Sequence, residues 1–119
     1  MFTGIDTIII RVRDITAATT WYTRHLGVEV VYDDEEQRLA VIEFPAGSTV
    51  TLWQIEDGAD FVASSTYPIL ATDDAAAAHE TLSAAGVKVD TVQETPGVLY
   101  FRFFDLDGNP LEACQVRED

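Results

Sequence analysis

At 119 residues the chain has room for one small domain with a single core, not for two ordinary domains. Hydrophobic residues make up 47% and aromatic residues 10%, a globular load that excludes a disordered chain, and no apolar run approaches the roughly 20 residues of a membrane span. Twenty-one Asp and Glu face seven Lys and Arg, and the net charge of −14 repels nucleic-acid phosphates and anionic lipid, so neither is an expected partner.

The single cysteine, Cys114, excludes an internal disulfide, and no basic stretch followed by a long apolar one opens the chain, so a cytoplasmic protein is expected. Lys88 is the only lysine, and acidity with so little lysine suits adaptation to high salt. Carboxylates that repel one another are relieved by salt, because the Debye length falls from about 10 Å at 0.1 M to about 3 Å at 1 M. The expected result is a melting temperature several degrees higher in molar KCl than in dilute buffer. A flat melting temperature would remove the high-salt reading and leave the fold untouched.

The first element is an apolar strand, Thr7 to Val12, running into Asp14. Asp14 suits the N-cap of a helix, Ala18, Trp21, Tyr22 and Leu26 supply its apolar stripe, and Gly27 is a plausible C′ residue. Strands are predicted at about 28–33, 38–44 and 49–55, with Asp34-Glu35-Glu36 as a solvated hairpin tip. Residues 57–65 then read as a linker. A second strand from Tyr67 ends before Asp73-Asp74, and Asp74 caps a helix whose stripe is Ala75, Ala78, Leu82 and Ala85. Strands follow at about 87–92, 97–104 and 110–116, the last two joined by the turn Asp105-Leu106-Asp107-Gly108-Asn109-Pro110.

This order repeats. Thr7 and Tyr67 open equivalent strands, Gly27 and Gly86 close equivalent helices, Gly47 and Gly108 mark equivalent turns, and Val50 and Leu111 lie in equivalent last strands. Four landmarks in register argue for a duplicated half-domain, with repeat one at about 4–56 and repeat two at about 66–117. Each half is β-α-β-β-β, an α+β unit whose sheet has one face under the helix and one open. Two such halves can pair so that the open faces curve around a central pocket, as one curved eight-stranded mixed sheet.

The residues carry a resemblance. Ile5 to Asp14, then Trp21-Tyr22 and Leu26-Gly27, resemble the opening strand and helix of the glyoxalase/bleomycin resistance protein/dioxygenase (vicinal oxygen chelate) superfamily. Leu99 to Glu112, with Phe104-Asp105-Leu106-Asp107-Gly108-Asn109-Pro110-Leu111-Glu112 at its end, resembles the closing hairpin of that superfamily, with Leu106 where proline is usual. The resemblance implies the two-repeat fold, a small-molecule ligand, a homodimer and, in many members, a divalent metal held by four side chains. Carried over by position, those four are Thr7, Thr51, Tyr67 and Glu112. Only Glu112 is a usual metal ligand, so no cofactor is predicted and a divalent metal is disfavoured.

Strand alternation assigns the remaining candidates. Thr7, Ile9 and Arg11 should face the pocket, as should Thr49, Thr51 and Trp53. In the second half Tyr67, Ile69, Ala71, Tyr100, Arg102, Phe104, Glu112 and Cys114 should do so. Glu112 is the candidate anchor for a cationic or hydrogen-bond-donating ligand group and, if the protein is an enzyme, the candidate general base, supported by hydroxyls of Thr7, Thr51 and Tyr67. Arg11 and Arg102 are candidate clamps for a carboxylate or phosphate, and Trp53 and Tyr100 are candidate stacking surfaces. His25 suits the end of the first helix, His79 is expected to face solvent without a role, and Cys114 reads as a small hydrophobe.

Three functions compete. The leading one is a small-molecule binding protein, or an enzyme, that works without the usual metal. The second is a metal-dependent lyase, isomerase or dioxygenase whose ligands are drawn instead from Asp6, Glu43, His79 and Glu112. The third is a protein-interaction module with its cavity filled by Trp53, Tyr67, Tyr100 and Phe104.

Overall fold

The structure is a computed structural model that describes residues 1–117. The chain divides between Ala63 and Ser64 into two compact units. The first contains β1 (Ile8–Val12), α1 (Ile15–Leu26), β2 (Glu29–Asp34), β3 (Leu39–Glu43) and β4 (Thr49–Gln54). The second contains β5 (Ile69–Ala71), α2 (Ala75–Ala84), β6 (Gln93–Thr95), β7 (Val98–Phe104) and β8 (Pro110–Val116). This is the β-α-β-β-β order twice over. The eight strands divide into two four-stranded mixed sheets, β1-β4-β3-β2 and β5-β8-β7-β6. In each, the last strand of the unit lies parallel to the first and antiparallel to the third, so each half completes its own sheet.

The same local chemistry builds both helices. Asp14 is extended and accepts from the Ala17 amide, and Asp74 is extended and accepts from the Ala77 amide. Each such cap contributes about 1 kcal/mol. A second device was not foreseen from sequence. The Gln54 side-chain oxygen accepts from the Ile15 amide at 3.0 Å, and the Gln115 oxygen accepts from the Ala75 amide at 2.9 Å. Both glutamines lie near the end of the last strand of their half and satisfy a donor that a helix start leaves unpaired.

Ile10, Val12 and Leu52 are buried as alternation predicts, whereas Ile8, expected in the same core, is 39% exposed. In the first unit Ile10, Val12, Ile42 and Leu52 are buried with Ala18 and Tyr22 of α1, while Ile9 stays half exposed on the other face. In the second, Phe101, Phe103, Leu111 and Ala113 are buried with Ala75 and Leu82 of α2. Among the described residues no helix is long and apolar enough to cross a membrane.

One strand differs from expectation. Residues 87–92 do not form a continuous strand; there is a single antiparallel bridge from Val89 to Phe103, and the regular strand is Gln93–Thr95. The cause is an extra residue on the edge. The Asp90 amide bonds to the Arg102 carbonyl, whereas Gln93 pairs with Tyr100, so three steps on one strand oppose two on the other. That mismatch is a β-bulge, which breaks the ladder and bends the edge at Thr91 and Val92.

Candidate functional site

The bulge shapes a cleft on the open face of the second sheet. The cleft has a volume of about 290 Å³ and is lined by Tyr67, Asp90, Thr91, Gln93, Tyr100, Phe101, Arg102 and Glu112. Three of the lining residues come from the bulged edge, three from β7, one from β8, and Tyr67 precedes β5. Arg102 pairs directly with Glu112 in the antiparallel ladder, and Asp90 lies on the other flank with its Oδ2 3.4 Å from the Arg102 Nε. An acid, a base and an acid therefore form a row across three neighbouring stretches of chain. Arg102 also lies 5.7 Å from the Phe104 ring centroid, and the Lys88 ammonium lies 4.7 Å from the same ring.

Glu112 is half-buried, and among the described residues no side chain donates a hydrogen bond to its carboxylate. Tyr67 lines the same cleft and, among the described residues, donates no hydrogen bond to this carboxylate. Its backbone is fixed: Glu112 N–H donates to the Pro68 carbonyl, and Glu112 pairs with Ile69 of β5. Cys114, opposite Tyr100, is a free cysteine on the same face of β8.

The expected residues of the first half lie on the first unit. Thr7 and Thr51 are joined hydroxyl to hydroxyl at 3.1 Å, and Thr51 is buried. Arg11 donates to the carbonyls of Trp53 and Gln54 and to Glu56, and its guanidinium lies 4.8 Å from the Trp53 ring centroid. The Glu56 carboxyl is held below its ordinary pKa, first by a hydrogen bond from its own backbone amide and then by Arg11. A depressed carboxylate pKa adds stability above the unfolded value and loses it as pH falls through the folded one. This arginine is thus committed to the strand end rather than offered as an anion clamp. Trp53 donates its ring N–H to the Gln37 carbonyl at 3.1 Å.

His79 overturns its expectation. It is half-buried rather than solvent-facing, its Nε2 lies 2.9 Å from the Asp90 carbonyl, and its ring meets Phe101 edge-on at 5.0 Å. A signal existed in the sequence: Ala75, His79 and Leu82 follow one helical face at steps of four and three. His25 lies in the last turn of α1 as expected, against the Trp21 ring.

A larger groove of about 510 Å³ lies on the first unit between the start of α1 and the β2–β3 hairpin. Four of its polar side chains are already committed. Asp14 and Gln54 cap α1, Asp34 accepts from Gln37, and Arg38 bonds to Asp57 at 2.8 Å. It is the weaker candidate for that reason.

The family model for the glyoxalase/bleomycin resistance protein/dioxygenase superfamily matches residues 4–113, nearly the whole chain. The chain belongs to this superfamily. Solved structures agree in fold. A superfamily member from Sphaerobacter thermophilus DSM 20745 is 27% identical with a TM-score of 0.81, covering 96% of this chain and 98% of that one. TnmS3, an antibiotic binding protein from Streptomyces sp. CB03234, is 23% identical with a TM-score of 0.82, covering 98% of both chains. The fosfomycin resistance protein FosX from Listeria monocytogenes is 16% identical with a TM-score of 0.80, covering 98% of this chain and 96% of that one. No curated protein matches the sequence.

For a superfamily member, the four positions that the family resemblance assigns to a metal hold a donor set that does not fit one. Thr7, Thr51 and Tyr67 offer neutral hydroxyls, two of them bonded to each other, and Glu112 supplies one carboxylate. Transition-metal sites use three or four His, Cys or carboxylate ligands. Among the described residues no group of three or more His, Cys, Asp and Glu is placed to hold a metal ion.

Proposed function

We propose that this superfamily member binds a small organic molecule in the cleft of the second unit, anchored on Glu112 and without a resident metal. The observation that carries the reading is the half-buried Glu112 carboxylate, which receives no side-chain hydrogen bond among the described residues and lies in a cleft with Tyr67, Tyr100 and Arg102. A carboxylate left with open acceptor sites beside aromatic rings suits a ligand with a cationic or hydrogen-bond-donating group on a flat apolar body. The neighbours in fold include a protein described as antibiotic binding and one described as a fosfomycin resistance protein, which supports a ligand of small-molecule size.

A fragment screen by amide NMR tests the proposal. Ligands should shift the resonances of Tyr67, Tyr100, Arg102 and Glu112 together; hits that all map elsewhere would move the site. Elemental analysis after dialysis should find no stoichiometric Zn, Ni, Fe or Mn, whereas one metal per chain that is lost in Glu112→Gln would overturn the metal-free part.

The proposal includes a homodimer, supported by the edge strand β2, whose Val30, Val31 and Tyr32 are all exposed. Light scattering should give twice the chain mass of 13.1 kDa at micromolar concentration, and a mass of one chain would count against it.

A further inference from the structure

We infer that His79 is a positioning residue for the second unit's cleft, because its ring N–H holds the bulged edge that carries Asp90 to Arg102. The inference rests on the reading of that cleft as the ligand site. A carbonyl oxygen only accepts, so the Nε2 that lies 2.9 Å from the Asp90 oxygen carries the hydrogen and donates it. Asp90 is thereby fixed at three points: its carbonyl by His79, its amide to the Arg102 carbonyl at 2.8 Å, and its carboxylate 3.4 Å from the Arg102 Nε. Two of these come from β7 itself. The third comes from α2, on the opposite side of the sheet from the Arg102 side chain.

The edge needs that third point because it lacks a continuous ladder. Between Asp90 and Gln93 no residue pairs regularly with β7, and the extra residue leaves Thr91 and Val92 without strand partners. Asp90, Thr91 and Gln93 form one wall of the cleft. His79 also meets the buried Phe101, another lining residue, edge-on at 5.0 Å, so the same ring braces the floor and the wall. Releasing the carbonyl frees the wall to move away from β7, and the Arg102 guanidinium loses its fixed direction.

The test uses two variants and two readouts. His79→Phe keeps a ring against Phe101 and removes the donor. His79→Gln gives up the ring and keeps an N–H donor. In the ligand-free protein, the Arg102 Nε–H and the Asp90 amide should exchange with solvent faster in His79→Phe and return toward wild-type rates in His79→Gln, while the Phe103 amide keeps its protection in both. The second readout is the affinity for benzamidinium, whose planar amidinium mates with carboxylates and whose ring suits the two phenols. His79→Phe should weaken it about fivefold, the fold-change of one hydrogen bond, with rescue in His79→Gln. Wild-type exchange at Arg102 and Asp90 in His79→Phe would overturn the positioning role. Altered exchange together with a wild-type protein on which benzamidinium shifts no resonance of Glu112 or Arg102 would instead overturn the cleft reading on which the inference rests.

Discussion

Phe103→Ala should lower the free energy of unfolding by about 3–5 kcal/mol, the cost of truncating a fully buried phenylalanine. The ring is 1% exposed, lies 6.0 Å from the Phe101 ring and sits on the strand position that bridges to Val89. Its loss removes apolar contact from β7 and weakens the anchor of the bulged edge. A domain of this size has about 5–15 kcal/mol in total, so the variant should be marginal at room temperature. Urea denaturation gives the difference directly. Leu106→Ala is the comparison, since Leu106 is 54% exposed in the β7–β8 turn and should stay within about 0.5 kcal/mol of wild type. Equal effects from the two substitutions would mean that the core is not where β7 places it.

Glu112→Ala should abolish most binding of any ligand that the cleft selects. A hydrogen bond to a charged group contributes about 1.5–3 kcal/mol, which is about a 10- to 150-fold loss in affinity. The side chain is half-buried, so water competes less than at the surface, and alanine leaves the ligand's donor facing apolar atoms. The fold should survive, because the Glu112 backbone bonds to Pro68 and pairs with Arg102 through main-chain atoms alone. Isothermal titration with the best fragment reads the loss, and circular dichroism confirms folding. Wild-type affinity in a folded Glu112→Ala protein would show that the ligand does not use this carboxylate.

The parts of the fold that are legible in sequence are those written in local chemistry. Asp14 and Asp74 cap their helices because a short acceptor precedes an amphipathic stretch, and that pairing needs no knowledge of the rest of the chain. Alternation placed Glu112, Arg102 and Tyr100 on one face because two-residue periodicity is a property of any strand. What escaped was set by partners distant in sequence. The bulge at Thr91 and Val92 arises from a register mismatch with β7, and Val87, Val89 and Val92 give no sign of it. The acceptors of Arg11 are backbone carbonyls of Trp53 and Gln54, which carry no residue-type signature. His79 shares a helical face with Ala75 and Leu82, but the stripe of an alanine-rich helix is weak, and the Asp90 carbonyl that gives the ring its direction leaves no mark on residue type.

The two glutamine contacts bear on how such a chain can be cut and rejoined. Gln54 reaches back to Ile15 and Gln115 reaches back to Ala75, so in each half nearly the last strand residue is tied to the first helical one. Both ties close before the chain leaves its half, and neither crosses the Ala63–Ser64 boundary. A backbone opened at that boundary keeps every such closure, so the exposed residues from Val62 to Thr66 are the place to introduce new termini or an inserted domain. Each half then keeps its own helix-to-strand closure when the chain is opened there.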